Sequence, residues 1–159
     1  MTRTAPGDPV WHAAEGVHRA WEGTAVIGRG EEAWRRAAHD VLRWAVKTRS
    51  GFAVPASAPV APGERVTVTA RVLGVAIREP VEVVAVVEGA ERVGFAYATR
   101  PGHPVDGEEC FVVHRDGDAV LLTVRSLTAP APRGPWRALF PLLLVAQRVA
   151  RRRYLRALR

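Results

Sequence analysis

EECFVVHRDGDAVLLTVRSL, residues 108–127, holds two apolar runs joined by Asp116-Gly117-Asp118. A glycine between two aspartates is turn chemistry, and the valines, leucines and Phe111 around it favour strands, so the stretch predicts a hairpin of strands 108–115 and 119–127. Upstream, residues 81–88 and 92–99 read as valine-rich strands separated by the turn Glu88-Gly89-Ala90-Glu91. Farther back, Val66, Val68, Ala70 and Val72 alternate with Thr67, Thr69 and Arg71, the period of a half-buried strand. About five successive strands with turns between them argue an antiparallel meander.

The flanks complete the pattern. Residues 17–27 form a first strand before Gly28-Arg29-Gly30. Residues 31–48 form a helix, because Trp34, Ala37, Ala38, Val41, Leu42 and Ala45 keep the spacing of one buried face. Glu31 and Glu32 open that helix, and Lys47 and Arg49 close it, both in keeping with its dipole. Residues 53–63, with three prolines and a glycine, predict a loop. From about 135 to 158 the chain is helical again. Pro141 starts or kinks the main helix, Ala146, Ala150, Tyr154 and Leu158 line one face, and arginines cluster on the other. Pro6, Gly7 and Pro9 mark residues 1–10 as a loose tail, leaving 11–159 as a single domain. The order fits an α+β fold, a curved antiparallel β-sheet wrapped around a long C-terminal helix (helix-grip-like). Sheet and helix would enclose a space for a small apolar molecule, although the same elements also pack solid.

Charge narrows the classes. The chain of 159 residues has a formal net charge of +7. Residues 133–159 contain eight arginines and no acid, leaving 15 basic against 16 acidic residues elsewhere. A uniformly basic nucleic-acid binder is built differently, so nucleic acid is not the expected partner. Arginine outnumbers lysine 22 to 1, the codon bias of a high-GC bacterial genome. Cys110 is the only cysteine, which excludes an internal disulfide and a thiolate zinc site and fits a reducing compartment. The first 16 residues hold no apolar signal core, and the longest apolar run, Leu142 to Ala146, is too short to cross a bilayer. A cytoplasmic location is expected.

GFAYATRPGHPVDGEECF, residues 94–111, with its GHPxxGEE core at Gly102 to Glu109, resembles the signature of a bacterial and plant family known as domain of unknown function nineteen-ninety. The C-terminal region of YndJ-type membrane proteins is similar. The resemblance spans roughly residues 16–157. Gly28, Gly30, Trp34, Ala37 and Trp44 match the opening pattern, and Pro141 and Gln147 the closing helix. Ala98, Cys110, Thr128-Ala129-Pro130 and the stretch Pro80 to Val83 depart from it. Where those departures replace arginines that anchor a shared ligand, this member binds something else. The resemblance brings no established activity. More loosely, the element order looks like the START and polyketide-cyclase superfamily, whose members enclose apolar ligands; that implies a fold and not a function.

Several residues are candidates for chemistry. His103, Glu108 and Glu109 share one inter-strand segment, and a carboxylate beside a histidine orients the ring and raises its pKa, which suits His103 or Glu109 to acid/base work. The alternative is a structural turn whose carboxylates accept backbone hydrogen bonds. Alternation sends Glu108 and Cys110 one way and Glu109 and Phe111 the other, so Glu109 shares Phe111's inner face. Phe95, Tyr97 and Thr99 share a face, from which Tyr97 would donate to a ligand carbonyl; Arg125 is a second such donor. Phe95, Phe111, Trp34 and Trp44 are expected ligand contacts. No metal-ligand spacing, phosphate loop or nucleophile elbow occurs, so neither metal nor cofactor is expected.

The expected function is the binding of a small apolar molecule, with a polyketide-like compound as one form of it. If chemistry follows, it is a cofactor-free cyclisation, isomerisation or rearrangement. The alternative is a non-catalytic module that docks on nucleic acid or on an anionic membrane through Arg148, Arg151, Arg152 and Arg156.

Overall fold

Antiparallel pairing runs through the expected meander and beyond both its ends. The computed structural model describes residues 2–56 and 58–159; Ser57, in the expected 53–63 loop, lies outside them. The strands are β1 Arg19–Arg29, β2 Phe52–Ala53, β3 Arg65–Val72, β4 Val75–Glu88, β5 Arg92–Thr99, β6 Val105–Asp116 and β7 Ala119–Pro130. They form one sheet in the order β1-β7-β6-β5-β4-β3-β2. The Asp116–Asp118 hairpin is present, with Gly117 at positive φ, and Asp116 pairs with Ala119.

The first strand lies beside the last, and the chain crosses from one edge of the sheet to the other through two helices. Helix α1, Gly30–Val41, buries Ala33, Trp34, Ala37 and Val41. The single helix expected to reach residue 48 is broken. Trp44 adopts a left-handed backbone (φ 62°), and a short helix α2 restarts at Ala45–Thr48. Such a backbone costs a bulky residue about 1–3 kcal/mol. It is held by packing, because the Trp44 indole meets Phe95 edge-on at 4.7 Å and Tyr97 at 5.4 Å between ring centroids. The break rotates α2 so that Lys47 points inward rather than closing a surface helix.

The C-terminal helix is also divided, into α3 Pro135–Ala138 and α4 Phe140–Tyr154, and Pro141 stands in the first turn of α4, where its missing N–H costs nothing. Helix α4 crosses the mouth of the curled sheet. The core on the concave side joins α1 and α2 to Val81, Val83, Phe95, Phe111, Leu122 and Val124, and to Tyr154 and Leu158 from the C-terminus. The helix-grip expectation is met: one domain, a seven-stranded antiparallel half-barrel, and a C-terminal helix laid across it.

The N-terminal residues are not loose. Thr4 is fully buried, and the backbone N–H groups of Arg3 and Thr4 donate to the Glu108 carboxylate at 3.0 and 2.8 Å. Arg92 Nε donates to the Pro6 carbonyl at 2.7 Å. The segment lies over the convex face of the sheet and covers Ala96, Cys110 and Val112 there. Prolines and glycine left its own hydrogen-bonding groups free to pair with side chains of the sheet.

Candidate functional site

A cavity of about 460 Å³ opens between the concave face of the sheet and α4. Its wall is largely apolar, from Phe52, Ile77, Leu143, Ala146, Val149 and Ala150. The expected enclosure is therefore open rather than packed solid, and its size is that of a small-molecule site. Leu73 stands wholly exposed at the tip of the β3–β4 hairpin, with Val72 and Val149 half-exposed, so these residues form the rim.

The inner end is polar and buried. Lys47, from α2, is 4 % exposed. Its ammonium donates to Tyr154 Oη at 2.7 Å and lies 3.3 Å from Glu109 Oε2 and 3.9 Å from Glu79 Oε2. It also sits over the rings of Phe52 and Tyr154, 4.4 and 5.0 Å from their centroids. Tyr97 Oη donates a hydrogen bond to the same Glu109 oxygen. Pairing of Tyr97 with Glu109 between β5 and β6, and of Glu109 with Ser126 between β6 and β7, places all three on the concave face.

Burial opposes the Lys47 charge, yet the tyrosines and carboxyls facing it outweigh burial and hold its pKa well above the usual lysine value. The ammonium is therefore a donor and not a nucleophile. Burial raises the Glu79 carboxyl, and neighbouring Glu109 adds to the effect while Lys47 opposes it. Burial and Glu109 push Tyr97 far up; burial raises Tyr154 as well. Both phenols are neutral donors across the physiological range.

The structure sorts the expected residues into three groups. Tyr97, His103 and Glu109 line the cavity. His103 does so in another state than the sequence suggested: burial, then Lys47, lowers its pKa to about 3. Val105 N–H donates to Nδ1 at 3.1 Å, so the ring is neutral and its remaining proton is on Nε2. It can donate a hydrogen bond but is a poor proton shuttle near neutrality.

Phe95, Phe111, Trp34 and Trp44 are not on the cavity wall. Phe95, Phe111 and Trp44 form the packed floor beneath Tyr97, linked edge-on from ring to ring and on to Tyr154. Trp34 packs from α1 under the guanidinium of Arg115, 4.7 Å away. Alternation identified an apolar inner face, but most of that face is core.

Arg125 is on the wrong side for a ligand contact in the cavity. It pairs with Cys110 on the convex face, donates through Nη1 and Nη2 to the carbonyls of Thr4, Ala5, Asp8 and Pro9, and through Nε to Glu22 at 2.6 Å. Beside it, burial pushes the Cys110 thiol up to about 12, an unreactive state. Of the arginines of the last helix, Arg148, Arg152 and Arg156 are exposed. Arg151 is turned inward, donating to Ser126 Oγ at 2.6 Å and stacking 4.5 Å from the Trp21 ring centroid. Among the described residues no helix is long and apolar enough to cross a membrane.

Lys47, Glu79 and Tyr154 escaped the sequence reading as site residues. Lys47 carried a signal, being the only lysine in a chain that otherwise uses arginine 22 times.

The family described as "Domain of unknown function (DUF1990)" matches the chain over residues 7–157, so the chain belongs to that family. Among solved structures, the ZhuI aromatase/cyclase from Streptomyces sp. R1128 is similar with a TM-score of 0.56 and 16% identity, over 87% of this chain and 92% of that one. TTHA0849 from Thermus thermophilus gives 0.59 and 15%, over 88% and 94%. The hypothetical protein jhp0584 from Helicobacter pylori gives 0.58 and 9%, over 86% of each chain. At such identities the likeness shows a shared fold. No curated protein matches the chain.

Proposed function

We propose that this member of the DUF1990 family binds a small, mostly apolar molecule whose buried end carries a carbonyl or hydroxyl oxygen. The observation that carries the reading is the Lys47 ammonium, buried between Tyr154 and Glu109 at the inner end of an apolar cavity. A purely apolar ligand would leave the donors not used within the cluster, the Tyr154 hydroxyl among them, without partners, and a multiply charged one would have no compensation for its desolvation. A neutral molecule with one polar end satisfies both; a polyketide-like compound has that form. The fold shared with an aromatase/cyclase supports an enclosed ligand of this kind.

The same groups are suited to cofactor-free chemistry next to a carbonyl. Glu109 takes a proton from the carbon beside the carbonyl, while Lys47 and Tyr154 donate to the oxygen that becomes an enolate. Return of that proton to a neighbouring carbon is an isomerisation that consumes nothing. Attack of the enolate carbon on a second carbonyl of the same molecule is a cyclisation. Tyr97 holds the Glu109 carboxyl in place, and neutral His103 contributes one hydrogen-bond donor.

Native mass spectrometry of the protein purified from its own producing strain tests the binding. A discrete added mass that survives high salt and leaves on denaturation is the expected result. Lys47→Met should reduce its occupancy through at least a tenfold loss of affinity, as expected for one buried hydrogen bond to a charged group. Unchanged occupancy in a folded Lys47→Met protein would overturn the assignment of the polar end.

A further inference from the structure

A second cleft, of about 410 Å³, lies on the other side of α4, where the helix meets the edge strand β1. Four of its nine lining residues are arginines: Arg19 from β1, and Arg148, Arg151 and Arg152 from α4. Trp21 supplies an aromatic wall, and no lining residue is acidic. Trp21 pairs with Ser126 and Arg19 with Thr128 on β7, so both β1 side chains project from the concave face toward the helix.

Among the described residues, none of these four guanidinium groups has a carboxylate within ion-pair distance. Arg35, Arg49, Arg65, Arg115 and Arg125 each have one, whereas other arginines without one, Arg36 and Arg133 among them, stand singly on the exposed surface and are not gathered in a cleft. Arg151 donates once, to Ser126, and its buried Nε–H has no partner. A solvated arginine face explains Arg156 and Arg159, which project into water. It does not explain an arginine stacked on Trp21 with an orphaned N–H inside a cleft shared with three more cations. Like charges gathered there repel one another unless an anion joins them.

We propose that this cleft is a binding site for the phosphate group of a small phosphoester or diphosphate, independent of what the cavity holds. Guanidinium forks match phosphate oxygens in pairs, and four of them neutralise a multiply charged group. The two sites meet at a thin partition. Gln147 lines both, donating to Thr128 Oγ1 at 2.8 Å, and Arg151 reaches Ser126, whose side chain faces the cavity. An anion that recruits Arg151 competes with Ser126 for it, so occupancy of the cleft is felt at the cavity wall.

The test is calorimetric titration of the full chain with inorganic pyrophosphate at fixed ionic strength. One saturable site per chain is expected. The double variant Arg148→Gln/Arg152→Gln should weaken it by about tenfold or more. Arg36→Gln/Arg133→Gln removes the same charge from exposed positions outside the cleft and should change affinity by less than about twofold. Both cleft substitutions are at exposed residues, and a thermal melt confirms that the variants fold. Three results would overturn the proposal: no saturation by about 10 mM pyrophosphate, equal weakening by both double variants, or binding of a DNA duplex or phosphatidylserine vesicles without binding of pyrophosphate. The last would identify a surface for extended polyanions instead of a site for a small one.

Discussion

Glu108 and Glu109 are neighbours in the chain and anchor two buried polar clusters on opposite faces of the same sheet. On the convex face, Glu108 accepts from the backbone of Arg3 and Thr4 and from the Thr4 hydroxyl, and Arg125 donates to four backbone carbonyls and to Glu22. On the concave face, Glu109 meets Lys47 and Tyr97 beside an open cavity. Both clusters bury charge. The convex one is closed by the protein's own backbone. The concave one is closed only by side chains, and its remaining donors face space. Buried charge thus points to a functional site where an opening adjoins it, and to architecture where the chain's own backbone closes over it.

The largest expected effect falls on the closed cluster. Arg125→Met leaves four carbonyls and the Glu22 carboxylate without their common donor. We expect a loss of about 3–5 kcal/mol of folding free energy, read by urea denaturation. The N-terminal residues should become protease-sensitive, and the fraction that folds should still retain the co-purified ligand. Loss of ligand at unchanged stability would show that the two faces are not separate devices.

How much of this was legible depends on which physical signal each residue left. Period-two alternation put Tyr97 on the face of Phe95 and Thr99, and Glu109 on that of Phe111, because a strand cannot rotate one side chain without rotating the next; the pairing of Tyr97 with Glu109 then joins the two faces. The same rule contained the correction for Arg125: Leu122, Val124 and Ser126 define the inner parity of β7, and Arg125 lies between them. Periodicity separates inside from outside but not wall from floor, so it cannot distinguish Phe95, Phe111, Trp34 and Trp44, which are core, from ligand contacts. Lys47 was hidden by the left-handed residue at Trp44, because continuing the α1 periodicity across that break leaves Lys47 at an ordinary helix end. The N-terminal strap left no pattern at all, since it is held largely through backbone groups that any sequence supplies.

A second difference between the faces is titratable. His103 belongs to the cavity side, and its folded pKa of about 3 lies below the ordinary value of 6.5. Below about pH 6.5 the unfolded chain binds a proton that the folded chain refuses, so the stabilisation present above that pH is lost as pH falls toward 3. The slope approaches about 1.4 kcal/mol per unit, or about 2.5 kcal/mol between about pH 6 and pH 4. His103→Asn retains an acceptor for the Val105 N–H and removes the titration. Stability curves of the two proteins, measured in urea across that range, should converge as the pH falls. Parallel curves would mean that the ring is accessible to protons and not buried in the cavity wall.

The smallest effect gives the sharpest comparison, because it alters adjacent residues by the same atom. In Glu108→Gln one carboxylate oxygen becomes an amide that faces N–H donors of the strap, so a bond is lost and two donors oppose each other. We expect about 1 kcal/mol of destabilisation, or a melting temperature lower by about 2–4 °C, with ligand occupancy unchanged. In Glu109→Gln the amide oxygen still accepts from Tyr97, and the amide nitrogen can turn toward the cavity, where no backbone opposes it. It also leaves the buried Lys47 ammonium with Glu79 as its remaining carboxylate, so its melting temperature should fall at least as far as that of Glu108→Gln, while the bound ligand is retained and any conversion of it stops, since an amide cannot take a proton from carbon. The paired readouts are a thermal melt and the mass of the molecule that co-purifies. A Glu108→Gln protein that changes the bound molecule, beside a Glu109→Gln protein that still converts it, would reverse the assignment of the two faces.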